Sequence, residues 1–397
     1  MDDFDINAID DAFIADPYPV LRALRESDPV HENPDGSVFL TRHQDVNQVY
    51  RSKAMLSDKK LAFGKKFGDT PLFHHHTTSL VFRDPPDHTI VRKLLAAAFT
   101  PRKLAEMQPL IETIVDRLLD RMQEQQRFEF VRTFAMALPT EIISFMLGIP
   151  AEHRHKLRQF SLAILGALDP VVSQEKLDEG NAAVVEFTAL LRDLVVFRRA
   201  HPDDAGQGEV LDALIFGEID GRRLTQEELL QNCVFLLNAG HETTTSMLGN
   251  AVAMLLEHPD QHRRLRTDPG MIETAVEEFL RFQSPLQIGN RLAGEDITLA
   301  GQTIRKGTYI HTSVAGANRD PGVFADPEQL DLGRSPNRHL AFATGAHVCL
   351  GASLARIEGK VAIGRLVARF PRLRADGPAE LLRLARFRGY ASIPVAV

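Results

Sequence analysis

Several scarcities narrow the function of this 397-residue chain before any motif is considered. The sequence has no tryptophan and only two cysteines, Cys233 and Cys349. Two cysteines can form at most one disulfide, which is too few to stabilise a chain of this length, so a disulfide-rich secreted scaffold is excluded. A reducing compartment is expected. Basic residues are also scarce, since 46 Lys and Arg stand against 53 Asp and Glu, a net charge of −7. A general nucleic-acid binder would carry a basic excess, so that class is excluded too.

Membrane signals are missing as well. Residues 1–6 lack the basic segment and apolar run of a leader, so we expect a cytoplasmic protein without a membrane anchor. Between Glu228 and Glu257 the only formally charged residue is Glu242. A lipid-spanning helix is nevertheless disfavoured, because this stretch is interrupted by polar residues. These are Gln231, Asn232, Asn238, His241, Thr243, Thr244, Thr245, Ser246 and Asn250.

Helical periodicity dominates the rest of the chain. Amphipathic helices are predicted from Thr100-Pro101 onward and over residues 352–370, and a capping box at Thr225 and Glu228 opens one long buried helix that Pro259 ends. Strands are short and local, as in the hairpin predicted over residues 30–41. Because strands and helices do not alternate, a doubly wound sheet is disfavoured. The sequence predicts a mainly α protein with a smaller β region.

Cys349 has the setting of a metal ligand. It lies in the segment Phe-Ala-Thr-Gly-Ala-His-Val-Cys-Leu-Gly, residues 342–351, directly before a predicted helix. The N–H groups and dipole of a helix N-terminus favour thiolate, the form that binds soft metals. Gly345 and Gly351 allow close approach of a flat, bulky group. Cys233 has no such setting and is interpreted as inert packing.

This segment resembles the haem-binding signature of the cytochromes P-450, Phe-x-x-Gly-x-His-x-Cys-x-Gly. Every fixed position matches, at Phe342, Gly345, His347, Cys349 and Gly351. The second position, usually glycine in the family, is alanine here. The resemblance extends over almost the whole chain.

Two further family signatures follow the same order. Residues 239–244, Ala-Gly-His-Glu-Thr-Thr, resemble the oxygen-binding segment of the family's long distal helix. Glu278 and Arg281 resemble its Glu-x-x-Arg motif, and Arg334 matches the arginine that this pair holds. A buried triad of this kind is expected to order the haem side of the structure rather than perform chemistry.

The resemblance implies a single P-450 domain over residues 1–397, with haem b between the long distal helix and the proximal helix that the Cys loop precedes. Cys349 would be the axial thiolate ligand of the iron. Glu242 and Thr243 would be the acid and alcohol that deliver protons during dioxygen activation. Ala239 and Gly240 would leave room for dioxygen.

Haem propionates need cationic or hydrogen-bonding partners. By resemblance these are His88 and Arg92, which are four residues apart on one helix, together with Arg291 and His339. His347 is expected to shape the loop.

Residues 61–82 are expected to form a loop over a mostly apolar substrate pocket. The lining implied is Leu61, Phe63, Phe67, Leu72, Phe73, Leu236, Ala239, Leu286, Ile288 and Tyr390. The run His74, His75 and His76 raises the alternative of a metal site, but a solvated loop is favoured because consecutive residues do not converge on one helical face.

The function implied is a monomeric haem-thiolate monooxygenase that hydroxylates a small, mostly apolar organic substrate with dioxygen. Electrons would come from NAD(P)H through a reductase and a 2Fe-2S ferredoxin. Residues 332–375 hold eight basic residues and one acid, Glu358, a surface on which an acidic donor could dock. A peroxide-driven haem-thiolate enzyme and a non-catalytic haem-based ligand sensor remain the alternatives.

Overall fold

The computed structural model describes residues 4–202 and 208–397. Within these ranges the chain divides into two compact units. Unit 1 draws on residues 1–56, 110–135 and 243–397, and unit 2 on residues 57–109 and 136–242. The described residues are mainly helical with small sheets, as the sequence predicts. None of their helices combines the length and apolarity needed to cross a membrane.

The helices are bounded as follows in chain order: α1 Asp11–Ala15, α2 Tyr18–Ser27, α3 His43–Arg51, α4 Lys60–Phe67, α5 Pro71–Thr78, α6 Asp87–Ala96, α7 Pro101–Glu124, α8 Ala137–Leu147, α9 Leu157–Gly166, α10 Gln174–Ala200, α11 Glu209–Phe216, α12 Gln226–Glu257, α13 Pro259–Thr267, α14 Ile272–Phe282, α15 Val314–Ala317 and α16 Ala352–Arg369. The strands are β1 Val30–Glu32, β2 Val38–Leu40, β3 Met55–Leu56, β4 Arg127–Glu129, β5 Ile288–Ala293, β6 Ile297–Leu299, β7 Gln302–Ile304, β8 Tyr309–Ser313, β9 Arg374–Ala375, β10 Glu380–Leu381, β11 Tyr390–Ser392 and β12 Pro394–Ala396.

Unit 1 is built around a five-stranded sheet in the order β1-β2-β8-β5-β3. The predicted hairpin is present as β1 and β2, and its turn contains Gly36 at a φ of +78°. One face of the sheet buries a cluster of apolar side chains that includes Val38, Leu40 and Ile310. Leu340 belongs to this cluster and Ala343 packs against it. The sheet core therefore anchors the segment that leads into Cys349.

The long helix α12 begins with the predicted capping box. The backbone N–H of Thr225 donates to Glu228 Oε2 at 3.0 Å, and the N–H of Glu228 donates to Thr225 Oγ1 at 3.2 Å. The helix runs for 32 residues to Glu257, and Pro259 starts the next helix. At 1.5 Å per residue its length is about 48 Å. The prediction of one continuous helix is confirmed.

Unit 2 is helical, and the prediction of a loop over residues 61–82 is wrong. This region contains α4, α5 and a short helical turn at Leu80–Phe82. The start of α5 carries a signal that could have been recognised, because Thr70 caps the helix and Pro71 occupies its first position. The solvated loop expected for the histidine run is wrong too, since His75 and His76 are buried.

Glu278 of α14 holds the segment that leads to the Cys loop. The carboxylate of Glu278 accepts from Arg281 Nε at 2.7 Å and from Arg334 Nε at 3.1 Å, so the predicted triad forms. It also accepts from Asn337 Nδ2 and from the backbone N–H of Asp331, both at 3.0 Å. Glu278 and Arg281 are almost completely buried. One buried charge therefore fixes residues 331–337 relative to α14.

We expect Glu278→Gln to lower the free energy of unfolding by about 3–5 kcal/mol, because two guanidinium groups lose the charge they share. Urea unfolding measures this change. Glu106→Gln is the matched control: Glu106 pairs with Arg102 at the surface, and its replacement should leave stability close to that of the wild type. Equal stabilities for the two variants would contradict the anchoring role of Glu278.

Candidate active site

The loop before α16 places Cys349 by tight backbone contacts. The N–H of Cys349 donates to the carbonyl of Phe342 at 2.9 Å, which closes the loop on itself. Gly345 has a φ of +76°, and a Cβ at this position would collide with the carbonyl oxygen of Tyr50. Only glycine satisfies both constraints without strain. The glycine predicted to permit close approach therefore does so against the protein's own backbone.

Ala343 marks where this loop departs from the family's usual residue. It adopts a left-handed conformation, with a φ of +54°. An alanine in this region is strained by about 1–2 kcal/mol, whereas glycine is not. The strain is located six residues before Cys349, where Ala343 packs against the sheet core. The preference of related proteins for glycine here has a conformational basis.

The two cysteines differ in accessibility. Cys349 is exposed, and the 18-residue helix α16 begins three residues after it. Cys233 is buried within α12, and burial raises the pKa of its thiol to about 12. A thiol with that pKa stays protonated at neutral pH, whereas metal ligation requires the thiolate. The interpretation of Cys233 as inert packing is consistent with this environment.

Glu277 holds both sides of the Cys loop, and sequence reasoning missed it. Its carboxylate accepts from His339 Nε2 at 3.1 Å, before the loop, and from Arg356 Nε at 2.6 Å, on α16. Burial would raise the pKa of Glu277, but the hydrogen bonds from Arg356 and His339 outweigh it and lower the pKa to about 2. The carboxylate is therefore ionised throughout the physiological range. No local sequence pattern predicts these contacts, because His339 and Arg356 are 62 and 79 residues from Glu277 along the chain.

The remaining loop residues of the signature have defined surroundings. The guanidinium of Arg356 lies 4.6 Å from the centre of the Phe342 ring. His347 is half-buried in the helical turn Gly345–His347. Gly351 is the N-cap residue of α16.

The four candidate propionate ligands lie on α6, on β5 and in the segment before the Cys loop. In unit 2, His88 is buried and Arg92 is half-buried, one turn apart on α6. In unit 1, Arg291 is buried on β5 with its guanidinium 4.9 Å from the centre of the Tyr50 ring. His339 also accepts at Nδ1 from the N–H of Ala341, at 3.2 Å, so both of its ring nitrogens are engaged. A propionate would have to replace one of these two contacts of His339.

Glu242 is a buried acid in unit 2. Arg158 Nε of α9 and His241 Nδ1 both lie 3.7 Å from Glu242 Oε2, beyond hydrogen-bond distance. Burial raises the pKa of Glu242 to about 7, although the positive charge of Arg158 opposes this shift. The carboxyl group is therefore poised to take up and release a proton near neutral pH. Arg158 was not predicted, because it lies far from Glu242 in the sequence.

His241 is held as a neutral imidazole. The hydroxyl of Thr140 donates to the carbonyl of Met136 at 2.6 Å, so it must accept from His241 Nε2–H, which lies 2.8 Å away. The lone pair of the ring is then on Nδ1, the nitrogen nearest to Glu242. Burial, with a smaller effect of Arg158, lowers the pKa of His241 to about 3. A neutral histidine beside Glu242 adds no positive charge that would favour the carboxylate.

Accessibility changes along the middle of α12. Ala239 is exposed and Gly240 and Thr243 are half-buried, whereas His241, Glu242 and Thr244 are buried. The side of Gly240 that a Cβ would occupy faces Ile143, 3.5 Å away in unit 2. The small residues of the predicted oxygen-binding segment are therefore the accessible ones.

The predicted pocket residues differ in their surroundings. Phe63 and Phe67 are buried with their ring centres 5.4 Å apart. Leu72 is buried against Gly180 of α10, a packing contact, whereas Leu61 is 85% exposed. The others divide into buried Leu236, Ile288 and Tyr390, and half-buried Phe73 and Leu286.

The basic stretch over residues 332–375 is neutralised more than its sequence indicates. Besides Arg334 and Arg356, Lys360 pairs with Glu273 of α14 at 3.0 Å. Two further basic residues of α16 form ion pairs with acids of α7: Arg365 with Glu112 and Asp116, and Arg369 with Asp120. The one acid within the stretch, Glu358, is buried, and burial raises its pKa to about 8.

Replacing Glu242 should change how stability depends on pH. The carboxyl stays protonated in the folded protein up to about pH 7 but ionises near 4.5 when unfolded. Its contribution to stability is therefore complete below pH 4.5 and is lost as pH rises to 7. Relative to Glu242→Gln, the wild type should lose about 3 kcal/mol over this interval in urea unfolding.

Glu227→Gln is the matched control, because Glu227 lies exposed at the start of the same helix. It should follow the wild-type pH profile. If Glu242→Gln also follows that profile, Glu242 does not have the raised pKa.

Comparison with known proteins agrees with this architecture. The family model "Cytochrome P450" matches residues 30–269 and 270–378. The "Biotin biosynthesis cytochrome P450" of Bacillus subtilis is 36% identical over an alignment of 391 residues that covers 96% of this chain and 96% of the relative. The "Vitamin D(3) 25-hydroxylase" of Pseudonocardia autotrophica is 39% identical, covering 97% of this chain and 94% of the relative.

The fold is shared with a solved structure as well. The crystal structure of P450BioI in complex with an acyl carrier protein that bears hexadec-9Z-enoic acid superposes with a TM-score of 0.92 and 34% identity, over 98% of this chain and 100% of that one. These matches cover nearly the whole length of the chain. The chain belongs to the cytochrome P450 family, and it is a monooxygenase that works with haem held by a cysteine thiolate.

Proposed function

We propose that Cys349 is the thiolate ligand and that residues 1–397 work as one monooxygenase domain that hydroxylates a small, mostly apolar substrate. The observation that carries this assignment is the contrast between the two cysteines. Cys349 is exposed in a closed loop before α16, whereas Cys233 is buried with a pKa of about 12. Since the family needs one thiolate ligand, Cys349 is the residue whose surroundings fit.

The residues around Cys349 fit a haem. The hydrogen bond and charge of Glu277, and to a smaller extent the charge of Cys349, raise the pKa of Arg356 on α16, so a thiolate at position 349 would have a cation nearby. His88, Arg92 and Arg291 would supply donors for the propionates, and His339 would do so by giving up one of its present contacts. Ala239 and Gly240 present little bulk. When bound, haem supplies the iron at which dioxygen is activated.

Glu242 and Thr243 would move protons. With a pKa of about 7, the carboxyl of Glu242 holds a proton for part of the time at neutral pH and releases it without a large penalty. The hydroxyl of Thr243 can accept one proton while donating another. Arg158, Thr140 and His241 would act as positioning residues: Arg158 sets the charge beside Glu242, and the Thr140 hydrogen bond fixes the ring of His241.

The electron donor is proposed by resemblance: NAD(P)H, a reductase and a 2Fe-2S ferredoxin. Five of the eight basic residues in the proximal stretch are paired with acids of the same unit. An acidic donor would meet a surface less positive than the sequence count indicates. Because P450BioI was solved with an acyl carrier protein, a carrier-borne acyl chain is an alternative form in which substrate arrives.

Turnover tests the function. We expect the haem-loaded protein to hydroxylate substrate with dioxygen, NAD(P)H and a surrogate ferredoxin system. Thr243→Ala should uncouple the reaction, so that NAD(P)H consumption continues while product per NAD(P)H falls severalfold, because protons are no longer delivered in order. Product and NAD(P)H are quantified in the same reaction.

Thr245→Ala, two residues further along the same helix, is the control and should keep wild-type coupling. Unchanged coupling in Thr243→Ala would contradict the proton-delivery role. Product formed only with peroxide would favour a peroxygenase, and the absence of product with either dioxygen or peroxide would favour a ligand sensor.

A further inference from the structure

His76 of α5 is a buried imidazole without a hydrogen-bond partner among the described residues. Its side chain is 1% exposed, and neither ring nitrogen has a donor or acceptor within reach. Three phenylalanine rings surround it, with centres 5.9 Å (Phe63), 5.3 Å (Phe67) and 5.2 Å (Phe82) from that of the imidazole. We call these four side chains the aromatic box. All of them belong to unit 2.

The neighbouring His75 shows that burial on α5 does not by itself leave a histidine without a hydrogen-bond partner. His75 is equally buried, but its Nδ1 lies 3.1 Å from Gln231 Oε1 of α12, a hydrogen bond. Buried polar groups in folded proteins are almost always satisfied, because leaving one unpaired is costly. An orphaned imidazole therefore points to a partner that binds to the folded protein.

Two lysines lie near the box, and each donates a hydrogen bond of 2.7 Å to a backbone carbonyl, Lys59 to that of Ser57 and Lys66 to that of Asp169. Lys59 Nζ lies 5.6 Å and 5.3 Å from the centres of the Phe63 and Phe82 rings, and Lys66 Nζ lies 5.3 Å from the centre of the Phe67 ring. Lys59 is 2% exposed. Burial first, then His75, Lys66 and Lys59, lower the pKa of His76 well below its usual value. The ring is therefore neutral and offers one N–H donor and one lone pair.

We propose that His76 is the polar anchor of the substrate, donating a hydrogen bond to a carboxylate oxygen of an aliphatic acid whose chain packs against the phenylalanines of the aromatic box. A carboxylate suits this position because Lys59 and Lys66 favour negative charge there, and the rings favour an apolar body. The inference rests on the proposed function and narrows its substrate class. Phe63 and Phe67 were predicted to contact substrate, whereas His76 was not.

Entry of the acid requires the aromatic box to open. The helix that carries Phe63 and Phe67, α4, has eight residues, and Leu61 near its start is 85% exposed. A short peripheral helix can move at lower cost than α12, whose residues are largely buried. Displacement of α4 would expose the imidazole while the hydrogen bond between His75 and Gln231 keeps α5 in place.

The test compares saturated fatty acids of 10 to 16 carbons with their methyl esters, which keep the chain and remove the charge. Haem-loaded wild type, His76→Phe and His76→Gln are titrated by calorimetry and by the haem spin-state shift. His74→Gln is the matched control, because His74 lies on the same helix with its side chain 54% exposed. We expect the wild type and the control to bind at least one acid at least tenfold more tightly than its ester.

His76→Phe should lose at least tenfold in affinity for the acid and change threefold or less for the ester, while His76→Gln keeps part of the preference. An unchanged ratio of acid to ester affinity in a folded His76→Phe contradicts the proposal, and so does wild type that binds none of the acids or prefers none of them. If His76→Phe does not load haem, loss of the preference in His76→Ala decides in its place. The reduced carbon monoxide spectrum of each variant is recorded in parallel, so that a failure of thiolate ligation is distinguished from a failure of the anchor.

Discussion

Two adjacent carboxylates on one helix, those of Glu277 and Glu278, hold the loop that contains Cys349. Glu278 fixes residues 331–337 through Arg334, Asn337 and a backbone N–H, and Glu277 joins His339 before the loop to Arg356 after it. A cysteine ligand is useful only if its sulfur stays at one place relative to the group it binds. The contacts of both carboxylates are charge-assisted hydrogen bonds, which are strong, and those of the buried Glu278 are costly to break. The strained Ala343 and the close contact of Gly345 with Tyr50 are tolerated within this frame.

The polar groups in unit 2 show a different use of burial. Glu242, His241 and His76 are all buried. Burial raises the pKa of Glu242 and lowers the pKa values of His241 and His76, so that the neutral form of each group is favoured. A protein that needed only stability would fill these positions with apolar residues. Arg158 places a positive charge beside the carboxyl of Glu242. The hydrogen bond with Thr140 fixes the tautomer of the neighbouring His241. His76 differs from His241 in that neither of its ring nitrogens has a hydrogen-bond partner among the described residues, and from both groups in that three phenylalanine rings surround it.

The sequence predicted well those features that depend on residues close together in the chain. The capping box at Thr225 and Glu228 and the long helix form as expected. The contact of Arg334 with Glu278 and Arg281 was implied by the family resemblance and not by a local signal, and these three side chains do meet. What failed depends on contacts distant in sequence. Glu277 and Arg158 have no motif of their own, and the pairing of Arg365 with acids of α7 reduces a charge count that looked strongly basic. The histidine run was mistaken for a solvated loop, because its burial among phenylalanines arises only when α4 packs on α5.

The central claim is that Cys349, and not Cys233, supplies the thiolate. Its most direct test is the carbon monoxide difference spectrum of the reduced, haem-loaded protein. We expect the strongly red-shifted thiolate band in the wild type and in Cys233→Ala, and its disappearance in Cys349→Ala. A red-shifted band that survives in Cys349→Ala, or is lost in a folded, haem-loaded Cys233→Ala, would contradict it.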